Sequence, residues 1–287
     1  MSEFLMYLTN GMVMGVINAI SAIGVSLIVG IMRVVNFAHG ELYIFAGYFS
    51  YHLSTSLGVP PLIAMPLSVF FIFLIGIGLE RTLIRPTYGD EMYSLIITFV
   101  LSIVLQNAAL LIFGPYPNKP PSLISGATNI FGLYHYGNQR LLSFFVSIGI
   151  LLFIFYLIKK TWFGKSIRAV SQDRGMASLV GVDHFRVNML SFGLGAALAG
   201  AAGVVIAPIF PVTPTGSSAI SLTAFVVVVL GGMGSLKGCV VGGLMLGMIE
   251  NLGAAYISTM YRNIFGFIIL ILVLVFRPWG LFGQKTQ

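Results

Sequence analysis

Charge is scarce in this sequence. Only 8% of its residues are Asp, Glu, Lys or Arg, against 57% that are hydrophobic. An ordinary soluble domain carries about a quarter charged residues. At a mean hydropathy of +0.99, no soluble arrangement of 287 residues hides this much apolar surface. A single cysteine, Cys239, excludes an internal disulfide and leaves the redox compartment open. There is no HExxH, no cysteine pair and no nucleophile elbow, and the histidines at 39, 52, 135 and 184 have no partner at ligand spacing. A metal site, a cofactor and an intramembrane protease are therefore not expected, and the chain does not read as an enzyme. A phosphate-binding loop is missing as well. The WFGKS at 162–166 ends like one, but Lys159 stands where the first glycine is required, and in GGMGSLKG (231–238) Lys237 is followed by Gly238. The N-terminal MSEFLMYLTNG lacks a basic region and is expected to begin a permanent span rather than a cleaved signal.

What fills the chain is a series of uncharged runs long enough to cross about 30 Å of hydrocarbon at 1.5 Å per residue. The reading is an all-α polytopic bundle forming one membrane domain over 1–287. Spans are expected at 4–32, 34–56, 61–79, 92–113, 141–158, 188–207, 218–233, 239–258 and 263–282, the last reaching the interfacial Trp279. That makes about nine spans, or eight to ten if 34–56 or 231–243 is re-entrant. The 34 glycines suit close helix approach, with Gly11/Gly15, Gly238/Gly242 and Gly243/Gly247 at the spacing that packing uses.

The basic residues sit at span boundaries rather than in one stripe, which argues against nucleic acid and for the positive-inside bias. With the N-terminus outside, twelve lysines and arginines fall inside and three (Lys119, Arg140, Arg262) outside, placing the C-terminus in the cytoplasm. The 114–139 loop is then extracellular.

Polar residues interrupt the apolar runs at two places. Asn36, His39 and Glu41 lie close together in VVNFAHGELYIFAGY (34–48), and Glu250 lies within 239–258. The first group lines a pathway or marks a solvated cytoplasmic boundary. Glu250 lines the pathway or takes a hydrogen bond from a neighbouring helix. A second glycine-rich break, VVVVLGGMGSLKGCVVGG (226–243), contains Gly231, Gly234 and Gly238. Paired breaks in two halves of a chain point to a transport path near the midplane.

The loop 159–187 concentrates what charge there is, with six of the fifteen basic residues and two of the eight acidic ones. Residues 166–180 are expected to form one amphipathic helix, with Ile167, Val170, Met176, Leu179 and Val180 in its apolar stripe and Gly181 as its C-terminal cap. Such a helix fits a groove on a protein partner or lies on membrane lipid, and Asp173 favours the protein.

VVNFAHGELYIFAGY, GKSIRAVSQDRGMASLVGV, VVVVLGGMGSLKGCVVGG and the closing RPWGLFG together resemble the permeases of branched-chain amino-acid ABC importers, over nearly the whole chain and in order. The chain is similar to the shorter of the two permeases that usually pair. The resemblance implies a bacterial inner-membrane subunit with a second, homologous permease beside it. Two cytosolic ATP-binding subunits would lie beneath and a periplasmic substrate-binding protein above. It further implies that the central loop docks on the ATPase, with Arg168, Asp173, Arg174, Ala177 and Gly181 at the coupling positions. Gly175 and Met176 depart from the glutamate and alanine more usual there, which bears on a salt bridge from 175 but not on docking. Urea, short amides and other amino acids are the alternative cargoes the resemblance allows. An ATPase-independent carrier would need more intramembrane charge than Glu41 and Glu250 supply.

Overall fold

A computed structural model describes residues 2–130 and 134–283. Eleven α-helices follow in order among the described residues: α1 (Ser2–Met32), α2 (His39–Thr55), α3 (Pro61–Leu79), α4 (Glu91–Phe113), α5 (Asn138–Lys160), α6 (Trp162–Gln172), α7 (Arg174–Leu179), α8 (His184–Ile206), α9 (Ser217–Gly231), α10 (Leu236–Tyr256) and α11 (Arg262–Phe276). The polytopic helical bundle is as expected. The 114–139 loop additionally holds a two-stranded antiparallel hairpin, β1 (Ala127–Ile130) and β2 (Tyr134–Gly137). The bundle therefore has a hairpin end, and a loop end carrying α6 and α7.

Helix boundaries follow local chemistry. Asp90, Thr161, Asp173, Asp183 and Ser235 each accept a first-turn N–H as N-caps of α4, α6, α7, α8 and α10. Pro61 opens α3, where its missing N–H costs nothing. Seven of the helices are long and apolar enough to cross a membrane: α1, α3, α4, α5, α8, α9 with its preceding turn, and α10. The second expected span is shortened to the 17 residues of α2, and the last to the 15 of α11.

At the centre stand α1 and α8, whose apolar stretches are each 78% buried, against 28% or less for α3, α4 and α5 on the periphery. The arrangement is an inverted repeat. The helices α1–α2–α3 are answered by α8–α9–α10: α1 packs on α8, α2 on α9, and the contact of α3 with α8 is mirrored by that of α10 with α1. Small residues let the backbones meet. A Cβ on Gly247 of α10 would lie 2.4 Å from Gly15 Cα of α1, and one on Gly243 would lie 2.8 Å from the Gly15 carbonyl. The glycine pairs 11/15 and 243/247 thus face one another across one seam.

The repeat corrects the expected pairing of breaks. The partner of the break before α2 (33–38) is the break before α9 (207–216), where Pro208, Pro211 and Pro214 remove backbone donors. The glycines of 226–243 serve a different purpose, in the turn joining α9 to α10.

Candidate functional site

Arg33 ends α1 in the left-handed conformation, at φ 58°. The chain then re-enters the bundle without helix until His39. Backbone groups at this depth need partners inside the protein, and side chains from other helices provide them. Thr98 Oγ1 of α4 donates to the Val35 carbonyl at 2.9 Å. Ser221 Oγ of α9 donates to the Phe37 carbonyl at 3.2 Å and accepts from the Gly40 N–H at 2.8 Å. Asn36 Oδ1 accepts from the Ala38 N–H at 3.1 Å. His39 Nε2 lies 3.0 Å from the Ser21 carbonyl, eleven residues before the end of α1, so α2 starts about 16 Å in from the loop end. Alongside it α9 begins, so close that a Cβ on Gly40 would lie 2.1 Å from the Ser217 carbonyl. Two antiparallel helices thus start side by side at mid-depth.

Asn36, His39 and Glu41 are brought together at this junction and buried, at 1%, 0% and 3% exposure. Glu41 Oε1 accepts from Ser102 Oγ at 2.8 Å. Asn36 Nδ2, His39 Nδ1 and Glu41 Oε2 have no hydrogen-bond partner among the described residues. Burial keeps this trio from solvent, and none of the three lines the cavity above or the clefts below.

Above the junction, towards the hairpin end, a cavity of about 310 Å³ reaches from Ser21 and Gly216 up to Glu250 and Arg262. Glu250 belongs to this wall. Among the described residues its carboxylate makes no hydrogen bond to a neighbouring helix, and it shares the cavity with the Arg262 guanidinium. Below the junction, two clefts of about 390 and 340 Å³ lie at the loop end, on either side of α6. Packed polar side chains and the two helix starts thus separate an upper cavity from lower clefts.

Gly231, Gly234 and Gly238 sit at the loop end rather than at mid-depth. A Cβ on Gly238 would lie 2.1 Å from the Gly231 carbonyl, and Gly234 turns the chain at φ 80°. The RPWGLFG segment returns to the same turn, where the Leu281 and Phe282 N–H groups donate to the Leu230 and Gly231 carbonyls at 2.9 and 3.0 Å. These bonds satisfy carbonyls that the end of α9 would leave open.

The central loop is two helices, not one. Asp173 takes an extended conformation (φ −153°), and its Oδ1 accepts from the Met176 N–H at 3.0 Å. That cap starts α7 on a new axis, which splits the expected stripe: Ile167 and Val170 are buried, while Met176, Leu179 and Val180 are exposed at 64%, 82% and 77%. Arg168 donates from Nη1 to the Ile158 carbonyl near the end of α5. Arg174 Nη2 donates to the Ile31 and Met32 carbonyls, at 3.1 and 2.9 Å, at the end of α1. Ala177 is buried and Gly181 ends α7 at φ 84°. These five residues hold the loop to the bundle and shape it. The exposed face is carried by Met176, Leu179, Val180 and Trp162. Nearby, Tyr88 donates to Glu80 and stacks on Phe185. Burial and the neighbouring carboxylate push its phenol above the ordinary tyrosine range.

Comparison with known proteins bears on this architecture directly. The chain is 32% identical over 297 residues to the high-affinity branched-chain amino acid transport system permease protein BraD of Pseudomonas aeruginosa, covering 98% of this chain and 96% of that one. It is 33% identical to the corresponding permease protein LivH of Escherichia coli over 295 residues, with the same shares covered. A solved structure, PsaBC from Streptococcus pneumoniae in complex with Fab, matches with a TM-score of 0.50 at 15% identity over 95% of this chain and 94% of that one, which shows a shared fold. Residues 7–274 match the family model described as branched-chain amino acid transport system / permease component, and with relatives this similar along almost its full length the chain is a multi-pass membrane protein belonging to that family of transport permeases rather than to any family of enzymes.

Proposed function

We propose that this chain is the membrane-spanning permease subunit of an ATP-driven importer for branched-chain and other hydrophobic amino acids. In this reading α2 and α11 complete about nine membrane segments, and α2 is a broken one that starts at mid-depth. The hairpin end faces the periplasm and a substrate-binding protein. The loop end and the C-terminus face the cytosol of a bacterial cell, with the chain in the inner membrane beside a second, homologous permease. The lysine and arginine distribution supports that orientation, because the six basic residues of the central loop lie at the loop end.

The observation that carries the proposal is the build of α6–α7. An exposed apolar face of Met176, Leu179 and Val180 suits one of two cytosolic ATP-binding subunits. Beneath it, Arg168 and Arg174 tie the same two helices to the ends of α5 and α1. A push on the face is thereby delivered to α1, the helix that meets both α8 and α10. Rocking of one repeat against the other would open the junction of Asn36, His39 and Glu41 to the clefts below and close the cavity above. The glycines 231, 234 and 238 would keep the α9–α10 turn rigid during that motion.

The test is purification in gentle detergent followed by reconstitution. Two ATP-binding chains and a second permease are expected to co-purify, and vesicles are expected to take up leucine only with ATP and a binding protein. A chain that purifies alone and moves solute down an ion gradient would overturn the proposal.

A further inference from the structure

The cavity at the hairpin end has a composition that the transport reading does not by itself require. Most of its wall is apolar, with Ile44, Ile206, Phe210 and Ile220 among the lining residues. Against that wall stand one carboxylate, Glu250, and one guanidinium, Arg262, from adjoining helices α10 and α11. Glu250 is only 9% exposed and makes no hydrogen bond to any described residue. Arg262 Nε is buried without a hydrogen-bond partner among the described residues, and its Nη2 reaches Asn251 Oδ1 only at 3.5 Å. Gly216 and Ala219 bring the start of α9, which no side chain caps, into the same cavity.

Two opposite charges on one helix pair normally close into an ion pair when nothing stands between them. Here Glu250 and Arg262 form no ion pair, and the only one among the described residues is that of Arg186 with Asp183, elsewhere in the chain. A separated carboxylate and guanidinium, each short of hydrogen bonds and both facing an apolar chamber, match a solute with an ammonium, a carboxylate and an apolar side chain. Resting on the permease reading above, we infer that this cavity is a binding site for an apolar zwitterionic amino acid. Glu250 takes the ammonium, Arg262 takes the carboxylate, and the isoleucines and Phe210 take the side chain. The site lies immediately above the closed junction, where a solute waits before the junction opens.

The test uses the reconstituted importer with Thr223, on the wall of the cavity, replaced by cysteine. Cys239 is fully buried, so a water-soluble thiol reagent reads the introduced thiol. Millimolar leucine is expected to slow labelling, whereas isocaproate, which is leucine without its amino group, is not. In Glu250→Gln the leucine concentration needed for protection is expected to rise about tenfold or more, and in Glu250→Asp by less, because a charged hydrogen bond is lost in one and weakened in the other. Equal protection by leucine and isocaproate with Glu250 intact would overturn the assignment, and that comparison needs no variant at Glu250 to fold. Leucine uptake by the importer without any protection of the thiol would overturn the site and leave the transport reading standing. Failure of the unaltered importer to take up any branched-chain amino acid would overturn the transport reading itself.

Discussion

Replacing Arg174 by methionine isolates the link between the surface platform and the bundle. The two side chains have similar length and apolar stem, so packing is largely kept while the donor is lost. The native Nη2 serves two carbonyls, Ile31 at 3.1 Å and Met32 at 2.9 Å, and the guanidinium sits at the negative end of α1. A charged group bonded to neutral acceptors contributes about 1.5–3 kcal/mol. A half-buried donor shared between two acceptors falls inside that range, so the loss is about 2–3 kcal/mol. It shifts the balance between docked and released loop by roughly 30- to 150-fold. Hydrogen exchange over 174–182 in the assembled importer should rise by a factor of that order. The number of leucines delivered per ATP hydrolysed should fall about tenfold or more, with ATP hydrolysis itself retained. Arg174→Lys should recover part of the effect, as a single point charge without the planar fork. If exchange rises as expected while the transport ratio stays unchanged, α1 is not the route by which the platform moves the bundle. If exchange is unchanged as well, the two hydrogen bonds contribute nothing to loop docking and the reasoning fails at its first step.

Met176→Glu together with Leu179→Glu should abolish co-purification of the ATP-binding subunits while leaving the permease folded, and retained co-purification would move the docking face elsewhere. A cysteine at Ser171 should react with an impermeant thiol reagent in inside-out vesicles but not in intact cells, and labelling of intact cells would invert the topology. Ser221→Ala removes the partner of both the Phe37 carbonyl and the Gly40 N–H; a loss of about 1–3 kcal/mol is expected, read as a lowered unfolding temperature of the purified permease. Gly247→Leu should be worse tolerated than any substitution in 115–125, because its Cβ would already lie 2.4 Å from Gly15 backbone atoms; equal stability of the two variants would argue against the α1–α10 seam.

How much of this could be read from the chain depends on whether the deciding contact is local. Span positions were legible to within about four residues for α1, α4, α5, α8, α9 and α10, because a run without charge is a property of consecutive residues. The facing glycines of α1 and α10 were legible as spacing, though not as partners. The break at 33–38 was legible from the polar residues that interrupt 34–48, but its cause was hidden. What keeps it from being helix is Thr98 and Ser221, 63 and 184 residues away from the carbonyls they bind. Conversely, 226–243 looked like a midplane break because glycine marks both broken helices and tight turns, and only the fold separates the two uses. The prolines before α9 carried the better signal, since a missing N–H interrupts a helix wherever it lies. In the central loop, Asp173 was weighed as a charge on one face, yet its short acidic side chain three residues before Met176 is also a capping signature. That difference changes the mechanism. As one helix, 166–180 would bury or expose its stripe as a unit; as two, it grips the bundle with Ile167, Val170 and the arginines while offering Met176, Leu179 and Val180 to a partner. A transmitter between a motor and a pore, the role proposed for this loop, needs two unlike faces, and one acidic side chain at position 173 is enough to create them.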